Sequence, residues 1–286
     1  MIPVAAERRI GMHLHTGRGL DKTVQSIKAL QLKAIQIFTT NPSAWRSAPI
    51  DAQATATFKR AIEELDVRPA MSHAMYLINL ASPNPNFQKK SREALAAELV
   101  RAESYGCRYV VTHVGSHMGA GAQAGIDRVV AALDHVLTTA TCSTTCLLET
   151  SAGGGAYVGA KFEDLAQILG RLPQHAERLG VCFDTAHAYA SGYDDAGAHG
   201  MRKTLDQLTE VVPAQRIRAC HCNDTTVTFG GKADRHVNIG QGNIGLEGFR
   251  ALLHYEPLAH CAFVLETPGD EMLEGLENLN RLRSLL

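Results

Sequence analysis

Five histidines and four carboxylates in this chain sit where the backbone pattern would bring them together. His73, His113, Glu149, Asp184, His221 and Glu266 fall at or beside the ends of short apolar runs. His187, Asp234 and His236 lie shortly beyond two of those runs. Gathering four acids in one pocket without counter-charge would cost many kcal/mol, and divalent cations are the natural remedy. Imidazole mixed with carboxylate suits zinc best, and manganese or iron where oxygen ligands dominate. Nine ligands exceed what one tetrahedral ion takes and suit two or three. Such ions would leave the pocket net positive. That is a local field for phosphate on a chain whose formal charge is −1. Asp234 and His236 have the i, i+2 spacing by which one extended loop presents two ligands side by side. Asp184 and His187 are three apart, so the strand must end between them for both to reach the pocket.

The elements that must position these groups follow from the apolar pattern. Short β-branched-rich runs cover Arg9–His13, Ala34–Thr39, Pro69–His73, Tyr109–His113, Cys146–Thr150, Val181–Thr185, Ile217–His221 and Ala262–Thr267. Helical periodicity covers Leu20–Leu30, Ala52–Leu65, Ser91–Ser104, Ile126–Leu137, Ala160–Leu169, Met201–Val211, Leu246–Leu253 and Met272–Leu285. This alternation predicts an α/β fold, a (β/α)8 TIM barrel forming a single domain over residues 1–286. An open doubly wound sheet is the rival architecture. In a barrel the C-terminal strand ends converge on one face, so residues as distant in sequence as His73 and Glu266 would share one bowl. Alternation also means that if His221 faces inward, Cys220 and Cys222 face the helix layer. The longest irregular segment, Asn223 to Gly245, joins the seventh strand to its helix, and a loop of that length is usually functional.

Composition narrows the classes. The chain has 286 residues, 45% hydrophobic and 20% charged, the mix of a soluble globular protein. Basic and acidic residues number 28 and 29, which excludes a generically basic nucleic-acid binder. No apolar run is long enough for a membrane span. Met1 to Arg9 carries no signal-peptide-like stretch, so a cytoplasmic location is expected. Seven cysteines without a CxxC pair read mostly as core filling. Gly240-x-Gly242-x-x-Gly245 spells a dinucleotide fingerprint, but it follows a candidate ligand loop and not a strand. A tight turn into the seventh helix is the better reading.

Several segments carry a resemblance. SHAMYLINLASP (72–83), THVGSH (112–117), LLETSAGGG (147–155), GVCFDTAHAYASGYD (180–194), HCNDTTVTFGGKADRHVNIGQGNIG (221–245) and VLETPGD (264–270) resemble the endonuclease IV family of apurinic/apyrimidinic endonucleases. The likeness runs from Ile10 to about the last helix, in the family's order. It implies three zinc ions per chain, with manganese able to take one site. His73, His113 and Glu149 would hold the first ion. Glu149 would bridge to a second, completed by Asp184, His221 and Glu266, and His187, Asp234 and His236 would hold the third. The implied reaction is hydrolysis of the phosphodiester 5′ to an abasic nucleotide in double-stranded DNA, leaving a 3′-hydroxyl and a 5′-deoxyribose phosphate, with clearing of blocked 3′ ends. A monomer is the family expectation.

Within that reading Glu149 and Glu266 are the catalytic candidates, orienting a water that bridged dications make acidic. Tyr76 and Leu77 are candidate wedges for the gap left by a missing base. Trp45 and Arg46 lie in a loop that the family also uses on DNA. Arg18, Lys232 and Arg235 are candidate phosphate contacts, and His13 is a candidate for a phosphate or for the ligands' surroundings. Ser43-Ala44 departs from the long basic or amide side chain of better-known relatives, and Ala74-Met75 replaces a polar pair found in some. The rival functions are a metal-dependent sugar isomerase or epimerase of related barrel architecture, and a non-catalytic metal-dependent DNA-binding protein. A sugar site has no obvious use for the cluster at His187, Asp234 and His236.

Overall fold

The computed structural model describes residues 8–286. The N-terminal reading of Met1 to Arg9 lies outside the described residues for positions 1–7. Eight parallel strands close on themselves: β1 (Arg9–Leu14), β2 (Ala34–Ile37), β3 (Ala70–His73), β4 (Tyr109–Thr112), β5 (Thr145–Glu149), β6 (Leu179–Asp184), β7 (Ile217–His221) and β8 (Ala262–Leu265). Pairing of β1 with β8, Gly11 opposite Val264, closes the sheet and removes the open-sheet alternative. The helices are α1 (Leu20–Leu30), α2 (Ala52–Glu64), α3 (Pro85–Ser104), α4 (Ala122–Thr139), α5 (Phe162–Gly170), α6 (Thr185–Ser191), α7 (Gly197–Val211), α8 (Gly245–Leu253) and α9 (Glu274–Arg283). Among the described residues no helix is long and apolar enough to cross a membrane.

The side chains separate into two apolar layers. Ala34, Met71, Val111, Leu147, Cys182, Ala219, Ala262 and Val264 fill the barrel interior. The opposite strand faces meet the helices in a larger cluster that includes Val110, Leu148, Phe183, Cys220, Cys222 and Phe263. Cys220 and Cys222 therefore face the helix layer as the alternation requires, and every cysteine among the described residues is free. Gly11 is needed for closure, because a Cβ there would collide with the Ala34 carbonyl.

Caps explain where the helices depart from the periodicity. α3 starts at Pro85, ahead of the expected Ser91, because Asn84 accepts hydrogen bonds from the Asn86 and Phe87 amides and Pro85 suits the first turn. α2 starts after Asp51, which accepts from Gln53 and Ala54. The alternation alone does not resolve α6, one short helix inserted directly after β6. Its N-cap is Asp184, whose Oδ1 accepts from the His187 amide at 2.8 Å.

Candidate metal centre

The barrel interior sets the site by simple periodicity. Two residues beyond an interior side chain, a strand again points inward. Met71 thus leads to His73, Val111 to His113, Leu147 to Glu149, Cys182 to Asp184, Ala219 to His221 and Val264 to Glu266. The same step takes Ala34 to Gln36 and Gly11 to His13. All of these arrive at the C-terminal rim, where a bowl of about 200 Å³ is lined by His73, His113, Glu149, His187, Asp234 and His236 among others.

Glu149 occupies the centre. Its Oε2 lies 3.2 Å from His73 Nε2 and 3.6 Å from His113 Nε2, while its Oε1 lies 2.9 Å from His221 Nδ1. His221 Nδ1 is also 3.1 Å from Glu266 Oε2 and 3.6 Å from Asp184 Oδ2. Asp234 Oδ1 stands 3.2 Å from both His187 Nε2 and His236 Nε2. Three sets bring ligand atoms within 4.8 Å of one another: His73, His113 and Glu149; Glu149, Asp184, His221 and Glu266; and Asp184, His187 and His236. All nine sequence-predicted ligands are therefore brought together. Asp184 lies nearer the third set than expected, because His236 Nε2 is 3.9 Å from its Oδ2.

Each of four histidines is oriented by a hydrogen bond from one ring nitrogen to a carbonyl oxygen. His73 Nδ1 donates to Ala74 O at 2.7 Å, His187 Nδ1 to Thr150 O at 2.9 Å, and His236 Nδ1 to Glu266 O at 3.3 Å. His221 Nε2 donates to Gln36 Oε1 at 2.9 Å. A carbonyl oxygen only accepts, so the opposite ring nitrogen is left free to bind a cation, the arrangement that metal-ligating histidines use. His187 Nε2 and His236 Nε2 are buried without a hydrogen-bond partner among the described residues. Buried, unpartnered nitrogens aimed at one carboxylate fit a bound dication.

The electrostatics point the same way. Burial opposes charge on His187, yet Asp184, Asp234 and Glu149 hold its pKa well above the ordinary value. Burial likewise opposes charge on His236, but Asp234 and Asp184 raise it to about 9. Burial would raise Glu149 and Asp234, but the histidines around each hold both far below the usual carboxylate range. Protons on imidazole do in this pocket what dications would do, so the two compete.

Two residues that sequence reasoning did not select hold the site. Gln36 Nε2 donates to Glu266 Oε1 at 2.5 Å and contacts His13 Nδ1 at 3.0 Å. Asn223 Nδ2 donates to Asp184 Oδ2 at 2.7 Å and to Glu266 Oε2 at 3.1 Å. The inward register of β2 was the available signal for Gln36. Behind β3, the buried Glu98 of α3 accepts from Ser72 Oγ at 2.5 Å and Thr39 Oγ1 at 2.6 Å, tying the ends of β2 and β3 to one helix. The glycine motif is a turn, as its context required. Asp224 Oδ2 accepts from the Gly240 and Gly242 amides at 2.8 and 3.0 Å, and its Oδ1 accepts from Ile244 at 3.1 Å. A Cβ at Gly242 would collide with Asp224 Oδ1.

The remaining candidates divide. Tyr76 is 59% exposed and packs its ring near Phe38, His73 and His113. Burial and the Glu266 and Glu149 charges push its pKa up to about 12. Leu77, Lys232 and Arg235 line a larger cleft that opens from the bowl. Leu77 also packs partly against the core. His13 lines the bowl with its Nδ1 3.7 Å from Glu266 Oε1. Trp45 packs edge-on against Phe87 at 5.4 Å, and Arg46 is exposed beside it. Arg18 is one cleft further over, beside Lys22 and Glu271 and linked to the bowl only through His15. Ala74 and Met75 are buried in the core, so that departure from a polar pair fills apolar space.

The family model described as xylose isomerase-like TIM barrel matches residues 24–285. A protein of Chloroflexus aggregans named "probable endonuclease 4" is 39% identical over 280 residues, 97% of this chain and 98% of that protein. Endonuclease IV from Thermus thermophilus superposes with a TM-score of 0.85 at 33% identity, covering 97% of this chain and 98% of that one. A D-tagatose 3-epimerase-like protein, 18% identical with a TM-score of 0.73, shares the fold. With a barrel, a rim cluster and relatives that match along nearly its whole length, the chain belongs to the endonuclease IV family of DNA-repair nucleases.

Proposed function

We propose that this enzyme hydrolyses the phosphodiester 5′ to an abasic nucleotide in double-stranded DNA, leaving a 3′-hydroxyl and a 5′-deoxyribose phosphate. It also clears blocked 3′ ends and works as a monomer. It does so with three divalent ions, chiefly zinc, one site being open to manganese. His73, His113 and Glu149 would hold one ion, Glu149 with Asp184, His221 and Glu266 a second, and His187, Asp234 and His236 a third. The observation that carries this reading is Glu149, whose two carboxylate oxygens face different histidine groups, Oε2 toward His73 and Oε1 toward His221.

Bound dications supply Lewis acidity and a nucleophile usable near neutral pH. The protein's own groups set the geometry for an in-line displacement. Glu149 and Glu266 accept hydrogen bonds from the attacking water and fix its lone pair toward phosphorus. Asn223 and Gln36 hold the Glu266 carboxylate in place from two sides. Asp184, Glu149 and His221 are almost wholly buried, which strengthens every charge interaction in the bowl.

Selectivity for the lesion rests on a nucleotide that costs less to extrude because it lacks base stacking. Tyr76 and Leu77 fill the space it leaves, while Trp45 and Arg46 approach the duplex from the loop after β2. Lys232, Arg235 and Arg18 contact phosphates, as does His13 inside the bowl. The cluster at His187, Asp234 and His236 disfavours a sugar isomerase, which needs no such third group. The test is a duplex carrying one tetrahydrofuran abasic analogue, offered to the metal-replete and the chelated protein. Nicking 5′ to the analogue by the replete protein alone supports the reading, and no nicking by either overturns it.

A further inference from the structure

We propose that Tyr157 and Met118 form a stacking ledge for a nucleobase that neighbours the scissile phosphate, an inference that rests on the activity proposed above. The bowl is small. Its volume of about 200 Å³ is below the roughly 300–1,000 Å³ of a typical small-molecule pocket. What flanks the phosphate must lie in the adjoining cleft of about 1070 Å³, which shares Tyr76, His113, His187, Asp234, His236 and Glu266 with the bowl.

Besides Tyr76 and Phe87, the cleft wall carries two large side chains in the open on the loops after β4 and β5, Tyr157 at 49% and Met118 at 65% exposure. Both are held there by backbone. The loops after β4 and β5 are joined by an antiparallel bridge between Ser116 and Tyr157, with His117 N donating to Ala156 O at 2.8 Å and Val158 N to Gly115 O at 2.9 Å. The Tyr157 ring lies across Gly154, where a Cβ would meet ring carbons at 2.8 and 3.0 Å. Met118 sits at φ 49°, a left-handed conformation, although Gly119 and Gly121 next to it adopt positive φ without a side chain. The Met118 thioether takes a contact from Ser82 Oγ at 3.9 Å, which holds the side chain on the cleft wall.

A nucleobase is the occupant with matching chemistry. Every base offers a π-face to an aromatic ring, and methionine sulfur packs favourably against aromatic edges. Lys232 and Arg235 line the same cleft and complement the phosphates that accompany the base. The cleft that carries the ledge shares lining residues with the bowl, so a base seated there neighbours a phosphate held in the bowl.

The test compares metal-replete wild type with Tyr157→Ala, Tyr157→Phe and Met118→Ala on labelled duplexes. One duplex carries a single tetrahydrofuran lesion between intact bases. Two others carry a second tetrahydrofuran on either side of it. Y157A, which removes the ring a base would stack on, is expected to weaken binding of the single-lesion duplex by about tenfold. The loss should appear in Kd and KM, with Y157F restoring it and M118A showing a smaller loss. On one of the two tandem-lesion duplexes the Y157A penalty should disappear, because the base it stacks on is gone. An equal penalty on all three duplexes, or none on any, overturns the ledge. Wild type that binds and shows this pattern but nicks no duplex would overturn the activity reading and leave the ledge standing. If Y157A loses its thermal transition, M118A on the same duplexes decides.

Discussion

Gln36 fixes the direction in which His221 faces. The imidazole Nε2 donates to Gln36 Oε1 at 2.9 Å, which turns Nδ1 toward Glu149, Asp184 and Glu266. The same amide donates to Glu266, so one side chain sets both a nitrogen and an oxygen of the same candidate ion site. Removing partners of this kind typically costs 10–100-fold in metal affinity or activity. Gln36→Leu is expected to weaken one class of bound ion by about that factor, read by competition with a chelator. Unchanged chelator competition would show that the ring is oriented by something else.

Glu149 should be harder to replace. Glu149→Gln keeps the shape but gives up a charge that several histidines share. Turnover is expected to fall by about 10²–10³-fold, the scale of losing a central electrostatic group, with the barrel intact by circular dichroism. Near-normal nicking by this variant would rule out a bridging carboxylate.

Tyr76 and Leu77 are expected to bear on recognition more than on folding. Tyr76 is exposed, and Leu77 only partly covers the core. The double alanine variant should bind abasic duplex at least about tenfold more weakly, or ~1.4 kcal/mol, while its thermal midpoint moves little. A large fall in thermal midpoint with wild-type DNA affinity would place both residues in rim packing instead.

Asp195, behind the candidate ligand Asp184, offers a pH test on a residue that is not itself a candidate ligand. Its side chain is fully buried, and neither carboxylate oxygen has a hydrogen-bond partner among the described residues. Burial, with Asp184, Asp194 and Asp224 nearby, raises its pKa well above the usual value. An acid with a raised folded pKa holds its proton more tightly in the native state. Its contribution is therefore complete below the unfolded value of ~3.9 and is lost as pH climbs toward the folded pKa, each tenfold difference in proton affinity being worth about 1.4 kcal/mol. Asp195→Asn, neutral at every pH, should be more stable than wild type at pH 8 and no more stable at pH 4. Chemical denaturation at the two pH values measures it, and a gain that does not depend on pH would contradict the sign.

Much of the centre was legible because strand alternation and barrel topology are both simple rules. Once β3 to β8 are placed, His73, His113, Glu149, Asp184, His221 and Glu266 must share a rim. The eight-strand closure was legible for the same reason. Gln36 was missed because an amide at an inward position carries no chemical signature of its own. Asn223 was visible at a strand end, but its clamp on Asp184 and Glu266 depends on a loop conformation that spacing does not specify. The short helix carrying His187 was hidden because seven residues are too few for a readable apolar period. Arg18 points to a neighbouring cleft since nothing in a lone loop cation dictates which depression it borders.

Elemental quantification of the purified, folded protein tests the three-ion centre most directly. About three equivalents of divalent metal per chain, zinc predominating, with loss of nicking on chelation and its return on zinc addition, is the expected result. Fewer than two equivalents in fully active material would contradict it.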